Sequence, residues 1–360
     1  MGNISIDVIT AQSEKSKKRV CGDVIHFERN VESTLLLCAD GLGSGIKANI
    51  AATLTASRLS TLLKLGFSIK NAYARLEETM NDARINGLPF AAFTVVRILP
   101  NGITTLYSYE MPPFIIMRSG RCETLSGRAI HGEKAKAYEA NIQLKPGEGL
   151  FVVSDGITQA GMGNGYTFGW TIEGVANFMN DRLSEDVSPD ELPEMIVQRA
   201  DIMSRGTSGD DCSVIYARAK EEKALTVLTG PPGNNRSDEE IVLRFLSMPG
   251  KKAVCGGTTA DIAARIMGKE IKPLTLPTHT KSPPLYSIDG IDLTTEGAIT
   301  LNQLHNILDD APWAFESLAE GAGDLFNLMM ESDRIQFMVG AGENAVARDH
   351  FYEKRGILTR

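Results

Sequence analysis

Apolar and polar residues alternate along the first 220 positions in a way that predicts short strands and two pairs of helices. Residues 46–65 and 69–84 carry apolar side chains at helical spacing, and residues 171–180 and 189–204 form the second predicted pair. Strands are predicted over residues 4–10, 20–27, 34–39, 92–99, 104–109 and 114–118. Runs of strands with paired helices, rather than strict alternation, favour an α+β fold.

The pattern changes after a charged stretch at residues 219–223, which indicates a linker. Beyond it, strands over 224–228 and 252–254 alternate with helices over 238–247 and 260–267. This order predicts a first domain over residues 1–219 and a small α/β domain over residues 220–360. Residues 271–285 contain four prolines and are predicted to form an extended loop.

Composition narrows the class of protein. The chain has 360 residues, 42% of them apolar, and a net charge of −8, which argues against non-specific binding to nucleic acid. No apolar run is long enough to span a membrane, and the first residues lack the pattern of a signal peptide. Five cysteines without a disulfide pattern fit free thiols in a reducing compartment. We therefore expect a two-domain cytoplasmic protein that binds neither nucleic acid nor membrane.

Aspartates stand beside glycines at the ends of four apolar, strand-like runs. The four stretches are Gly22-Asp23, Asp40-Gly41, Asp155-Gly156 and Gly209-Asp210-Asp211. One such aspartate is ordinary turn chemistry, but four at strand ends suggest carboxylates that converge in space. Converged carboxylates repel one another unless a cation neutralises them, and oxygen-only ligands suit Mg²⁺ or Mn²⁺. The sequence therefore predicts a metal site.

These stretches resemble the motifs of the metal-dependent protein phosphatase family (PPM, type 2C), in particular its bacterial sporulation stage II and sigma-regulator branch. The resemblance rests on order and spacing over about residues 4–218. It is carried by Gly22-Asp23, by residues 39–45 (Ala-Asp-Gly-Leu-Gly-Ser-Gly) followed by a helix, by residues 111–116 with their Pro-Pro pair, by Ser154-Asp155-Gly156-Ile157, and by residues 210–214 (Asp-Asp-Cys-Ser-Val).

The resemblance implies an αββα sandwich, in which two antiparallel sheets are flanked by helix pairs, followed here by the small α/β domain. It implies a serine/threonine phosphoprotein phosphatase that uses two Mn²⁺ or Mg²⁺ ions to activate the attacking water. The expected substrate is a phosphorylated bacterial signalling protein. In this pattern Asp40 bridges the ions and the Gly41 carbonyl is a further ligand. Asp155 and Asp210 complete the shell of one ion, and Asp23 holds the other.

Three further sets of residues near these motifs leave alternatives open. Asp211 is either a ligand or a support for Asp210, and we favour support. His26 is either a structural residue or a proton donor to the leaving oxygen. Cysteines at positions 21, 38 and 212 lie two residues from an aspartate, which predicts that each shares a strand face with it. They are either small packing residues or a redox-sensitive layer beneath the metals.

The second domain offers a weaker signal. Gly256, Gly257, Thr258 and Thr259 precede a predicted helix whose first amides could bind an anion, although a tight turn and a helix cap explain them as well. Two alternatives to the phosphatase follow. One is a ligand-sensing regulatory protein whose second domain binds a small anionic effector. The other is a catalytically silent scaffold that keeps the phosphatase fold.

Overall fold

A computed structural model describes residues 2–14, 20–42, 45–130, 136–204, 209–231, 238–274, 285–308, 320–340 and 342. The chain divides into two compact units, Met1–Glu221 and Glu222–Arg360. We refer to them as unit 1 and unit 2. Within these described ranges, no helix has both the length and the apolar content that crossing a bilayer requires.

Unit 1 contains eleven labelled strands and five labelled helices among its described residues. The strands are β1 (Ile4–Ser13), β2 (Asp23–Arg29), β3 (Thr34–Gly41), β4 (Ala91–Ile98), β5 (Ile103–Tyr109), β6 (Phe114–Arg118), β7 (Arg121–Leu125), β8 (Arg128–Ala129), β9 (Ala137–Gln143), β10 (Gly149–Val153) and β11 (Cys212–Glu221). The helices are α1 (Ile46–Lys64), α2 (Ile69–Ile85), α3 (Asp155–Thr158), α4 (Ile172–Ser184) and α5 (Leu192–Met203), with a 3₁₀ turn at Pro189–Glu191.

The strands of unit 1 form two antiparallel sheets. The first has the order β1-β11-β10-β6-β7, and the second has the order β2-β3-β4-β5-β9-β8. One hydrophobic cluster contains buried residues of both sheets and none of any helix. It includes Ile6, Leu36, Val96, Val152 and Ile215. The two sheets therefore pack face to face.

Helices cover the outer face of each sheet. Buried residues of α1 and α2, such as Leu59 and Leu76, pack on the second sheet. Buried residues of α4 and α5, such as Val175 and Ile196, pack on the first sheet. The layers are thus helix, sheet, sheet and helix, which confirms the αββα sandwich that the resemblance implied. The long helices have the expected amphipathic spacing, and the hydroxyl of Ser68, the residue before α2, caps the start of that helix.

The sequence pattern missed some elements of unit 1. Strands β7, β8 and β9 are not predicted, and α3 begins at Asp155, where a strand end was expected. Residues 219–221 belong to β11 rather than to a linker, because their backbone pairs with Ile4–Ile6 of β1. Their charges are compatible with this strand since Lys220 forms an ion pair with Asp7 at 3.0 Å.

Unit 2 is built on a mixed sheet. Its strands are β12 (Ala224–Thr229), β13 (Lys251–Cys255), β14 (Lys272–Pro273), β15 (Leu285–Ser287), β16 (Leu293–Thr295) and β17 (Arg334–Val339). Its helices are α6 (Asp238–Ser247), α7 (Gly257–Met267), α8 (Ala298–Ile307) and α9 (Glu320–Met330). The strand order is β14-β15-β16-β13-β12-β17, with β16, β13, β12 and β17 parallel.

Helices cover both faces of the parallel strands. Phe245 of α6 and Ala263 of α7 pack on one face, and Leu304 of α8 and Leu325 of α9 pack on the other. Strand β12 lies next to the edge strand β17, and the chain continues from β12 to β13 and β16 on one side before it returns to β17 on the other. A loop was expected over residues 271–285. Of these, residues 275–284 lie outside the described ranges, and the remaining ends form β14 and the start of β15.

Candidate active site

Two of the predicted carboxylates are neighbours in the second sheet. Asp23 is the first residue of β2, and Asp40 is the next-to-last residue of β3. Because the two strands are antiparallel, the start of one meets the end of the other, and Asp23 pairs directly with Asp40. Side chains of directly opposed residues lie on the same face of a sheet. Both carboxylates therefore face the first sheet, on the side of the cluster that contains Leu36.

The remaining carboxylates come from the first sheet. Strand β10 ends at Val153, which pairs with Val214 of β11. The segment after β10 carries Asp155, and the segment before β11 carries Asp210 and Asp211, so antiparallel pairing places them at one end of the sheet.

Hydrogen bonds join this end of the first sheet to the carboxylates of the second. The Ser213 hydroxyl donates to Asp23 Oδ2 at 2.7 Å. Asp211 Oδ2 accepts a hydrogen bond from the backbone N–H of Gly22 at 2.7 Å. Asp211 is buried, and its carboxylate binds the backbone N–H of the residue before Asp23. The geometry favours a supporting role for Asp211.

The side chains of Asp40 and Asp155 lie within hydrogen-bonding reach of each other. Burial raises the pKa of Asp40, and the carboxylates of Asp23 and Asp155 add to the rise. Burial also raises the pKa of Asp155, while its bonds to Asp40 and Gln159 act in the opposite direction. The pKa of Asp23 is raised by burial too, partly offset by hydrogen bonds from Ser213 and Ser154. The charge of Asp210 contributes to the higher pKa of both Asp40 and Asp155.

The donor set fits a hard cation, because Asp23, Asp40, Asp155, Asp210 and the Gly41 carbonyl offer oxygen only. A divalent ion at this position would neutralise the charge of the neighbouring Asp40 and Asp155 carboxylates. As arranged, however, no group of three or more His, Cys, Asp or Glu side chains in the described ranges is placed to hold an ion. Ion binding would therefore require the Asp40–Asp155 bond to open, with backbone and water completing the shell.

Gly41 has a structural reason to be glycine. A Cβ atom on Gly41 would lie 1.9 Å from the carbonyl oxygen of Ala48 in the first turns of α1. No side chain can approach a backbone oxygen so closely, so glycine lets α1 pack against the end of β3. This close contact places the start of α1 directly beside Asp40.

His26 lies away from the carboxylates. It is three residues after Asp23 in β2, and an odd separation puts the two side chains on opposite faces of a strand. Its ring Nε2 instead lies 3.1 Å from the hydroxyl of Ser60 on α1. This position favours the structural alternative for His26 over a proton donor at the site.

The three cysteines do not form one layer. Cys38 is buried in the cluster between the sheets, on the same face of β3 as Asp40. Cys212 packs on the opposite side of the first sheet, in the cluster that contains α4 and α5. Strand periodicity does not relate Cys212 to Asp210, because β11 begins at Cys212. Cys21 precedes β2 and is half-buried, and all five cysteines are free thiols.

In unit 2, the predicted anion-binding residues lie at the start of α7. Gly256 is the residue before the helix, with φ of 126°, and no side chain caps this end. The helix begins at Gly257, three residues before the predicted start, so Thr258 and Thr259 belong to its first turn. Thr259 is 2% exposed, which leaves Gly256, Gly257 and Thr258 accessible at this end.

Sequence reasoning missed several polar residues around the carboxylates. Ser154 and Ser213 are buried and hydrogen-bond to Asp23, and Gln12 Nε2 donates to the Ser213 hydroxyl at 2.9 Å. Gln159 Nε2 donates to Asp155 Oδ2 at 2.9 Å. Ser154 and Ser213 belong to the aspartate motifs, but a serine in a strand has no pattern of its own that marks it as a partner.

Comparison with known proteins places unit 1 in a family. The family model for stage II sporulation protein E (SpoIIE) matches residues 30–220. No curated protein sequence matches the chain.

Two solved structures share the fold at low identity. One is the PP2C phosphatase domain with a fragment of the regulatory domain of the cell fate determinant SpoIIE from Bacillus subtilis. It is 16% identical with a TM-score of 0.50, over 62% of this chain and 66% of that one. The other contains the RsbU and RsbW domains of a Mycobacterium tuberculosis protein. It is 13% identical with a TM-score of 0.51, over 75% of this chain and 71% of that one. This chain thus spans about two thirds of each protein.

Proposed function

The chain belongs to the stage II sporulation protein E (SpoIIE) family, and from this membership we propose that it is a metal-dependent serine/threonine phosphoprotein phosphatase. The substrate we propose is a phosphoserine or phosphothreonine of a bacterial signalling protein. The observation that carries this proposal is the meeting of carboxylates from both sheets, where Asp23 pairs with Asp40 and Asp155 lies within hydrogen-bonding reach of Asp40. Such an arrangement suits a site where divalent cations offset buried negative charge.

We assign the residues as follows. Asp40 would be a ligand common to two ions, and the Gly41 carbonyl would be a ligand of one of them. Asp155 and Asp210 would complete one shell, and Asp23 would hold the second ion. Bound Mg²⁺ or Mn²⁺ would supply Lewis acidity toward phosphate oxygens and lower the pKa of water.

The protein itself supplies position and charge at this site. The pairing of Asp23 with Asp40 fixes two carboxylates side by side on the second sheet. The bond from Gly22 to Asp211 holds the segment that carries Asp210 against them. These contacts keep the ligands of both sheets in register, so substrate phosphate can be oriented without rearrangement of the backbone.

The deciding experiment is hydrolysis of p-nitrophenyl phosphate and of phosphoserine and phosphothreonine peptides by the full chain, with Mn²⁺, Mg²⁺ or EDTA. We expect activity only with metal, and its loss in Asp40→Asn and Asp155→Asn. Activity that persists in EDTA, or that survives both substitutions, would disprove the proposal. A folded protein that binds Mn²⁺ but hydrolyses none of these compounds would favour the silent scaffold.

A second proposal concerns unit 2, which we propose binds a small anionic effector. It is supported by the order of its parallel strands, because the chain reverses direction across the sheet between β12 and β17. In open α/β sheets, ligands bind outside the carboxyl ends of the strands at such a reversal. Gly230, after β12, and Gly340, after β17, lie there in close contact, since Gly340 N–H donates to the Thr229 carbonyl at 2.8 Å.

Thermal-shift assays of the full chain with ATP, GTP and inorganic phosphate test this second proposal. The variant Thr258→Asp adds negative charge to the exposed first turn of α7, where an acidic residue also favours the helix. We expect a ligand to raise the melting temperature of the parent but not of this variant. The absence of any shift, or equal shifts in both proteins, would contradict an anion site at this end of unit 2.

A further inference from the structure

Gln159 holds one oxygen of a carboxylate at the candidate active site. Its side-chain Nε2 donates a hydrogen bond to Asp155 Oδ2 at 2.9 Å, while the Asp155 carboxylate also bonds to Asp40. We propose that Gln159 is a positioning residue, which fixes the orientation of the Asp155 carboxylate for metal binding and links it to the glycine-rich segment 161–169. This inference rests on the proposed metal-dependent function.

The backbone of Gln159 is held from several directions. Gln159 follows the short helix α3, and its N–H donates to the Asp155 carbonyl at 2.8 Å. Its own carbonyl accepts a hydrogen bond from Met162 N–H at 3.0 Å. Because the backbone is tied both to Asp155 and to the following segment, the exposed side chain starts from a defined position four residues after the carboxylate that it contacts.

The glycine-rich segment 161–169 packs directly against the backbone of Gln159. Gly169 has φ of +72°, and a Cβ atom on it would lie 2.6 Å from Gln159 Cα and 2.5 Å from the Thr158 carbonyl oxygen. The backbone N–H of Thr171 donates to that same carbonyl at 2.9 Å. The end of segment 161–169 is therefore packed against the backbone that carries Gln159, so a displacement there would be transmitted to the amide.

A neutral amide is suited to this role. It donates a hydrogen bond to Oδ2 alone and adds no positive charge that would oppose a cation. Gln159 and Asp210 also line the same cavity, of about 190 Å³, so the amide lies at the border of the site rather than within a core. Loss of a residue that orients a metal ligand typically weakens metal affinity or activity by about 10- to 100-fold.

The test compares two glutamines with the same local geometry. Gln198 Nε2 donates to Glu194 Oε1 at 3.1 Å on α5, also between residues four apart. Both of these side chains are exposed, whereas Asp155 is partly buried. Gln159→Met and Gln198→Met each replace an amide by an apolar side chain of similar length. Mn²⁺ binding to the full chain is measured by isothermal titration calorimetry, and p-nitrophenyl phosphate hydrolysis is followed as a function of Mn²⁺ concentration.

We expect Gln159→Met to weaken Mn²⁺ binding about 10-fold and to shift the metal activation curve equally, with a smaller effect on kcat at saturating Mn²⁺. Gln198→Met should match the parent. Mn²⁺ affinity within twofold of the parent in Gln159→Met, or an equal loss in both variants, would overturn the positioning role. A parent protein that binds no Mn²⁺ would instead contradict the proposed function itself.

Discussion

Ser213 donates a hydrogen bond of 2.7 Å from its hydroxyl to the carboxylate of Asp23, and this contact joins the two sheets of unit 1 at the candidate active site. Ser213 is fully buried, and Asp23 is 4% exposed. A buried carboxyl depends on its donors because water cannot replace them. The interface between the sheets is therefore apolar along most of its length but polar at the end where the aspartates meet.

Ser213→Ala should destabilise unit 1 and weaken metal binding together. The substitution removes a donor to a buried carboxyl group, and such a loss costs about 1–3 kcal/mol. Urea unfolding in EDTA measures the stability, and titration with Mn²⁺ measures the affinity.

The matched control is Thr94→Val. The Thr94 hydroxyl is buried in the second sheet and has no hydrogen-bond partner among the described residues. Its removal should leave stability unchanged or raise it, since an unpaired polar group is lost. Equal effects of Ser213→Ala and Thr94→Val would show that the bond to Asp23 contributes nothing specific.

Asp40→Asn should stabilise the metal-free protein while abolishing metal binding. Burial raises the pKa of Asp40 above the value of an unfolded carboxyl, so the folded state binds more protons than the unfolded state between the two pKa values. Stability therefore falls as pH rises through this range, and an amide removes that contribution. We expect the melting temperature in EDTA to fall between pH 6 and pH 8 for the parent, and to fall less for Asp40→Asn.

The control for this measurement is Asp181→Asn, which changes an exposed carboxylate at the end of α4. Its pH dependence should follow that of the parent. The prediction would be contradicted if Asp40→Asn lowered the melting temperature in EDTA or left the pH dependence unaltered. Either result would show that burial and the neighbouring carboxylates do not destabilise the charged form of Asp40.

The arrangement of the site shows what sequence patterns can predict. Asp23, Asp40, Asp155 and Asp210 are recognisable because each stands beside glycine or a strand end, and those signals are local. Their convergence depends on antiparallel pairings such as Asp23 with Asp40, which join positions far apart in the chain. The strand-end positions predicted that the carboxylates converge, and the resemblance to a known family gave each a role, but neither specified which strands pair.

The residues around the carboxylates could not be predicted in the same way. Gln159 contacts Asp155 only because a short helix, unexpected after β10, brings residues four apart together. Strand periodicity was extended from Cys212 back to Asp210, but β11 begins at Cys212, a start that is set by pairing with β1 and β10. Contacts that depend on where an element begins are the ones that the sequence leaves undetermined.

His26→Ala should leave the phosphatase chemistry unchanged. His26 lies on the face of β2 that is opposite to Asp23 and contacts Ser60 of α1. The pH dependence of p-nitrophenyl phosphate hydrolysis at saturating Mn²⁺ should therefore match that of the parent, with a modest loss of stability at most. Loss of the acidic or basic limb of the pH profile in His26→Ala would show instead that His26 transfers a proton during hydrolysis.

Gly169→Ala should weaken Mn²⁺ binding, whereas Gly163→Ala should not. Both glycines have φ between +70° and +80°, so alanine costs about 1–2 kcal/mol of backbone strain at either position. Only at Gly169 would the added Cβ also meet the backbone of Thr158 and Gln159, while the space around Gly163 is open. Both variants therefore carry the backbone strain, but only Gly169→Ala displaces Gln159. Calorimetric Mn²⁺ titration of both variants separates the two effects, since strain alone would lower stability in both without a difference in affinity. Equal Mn²⁺ affinities for the two variants would show that the glycine-rich segment does not control the metal ligand.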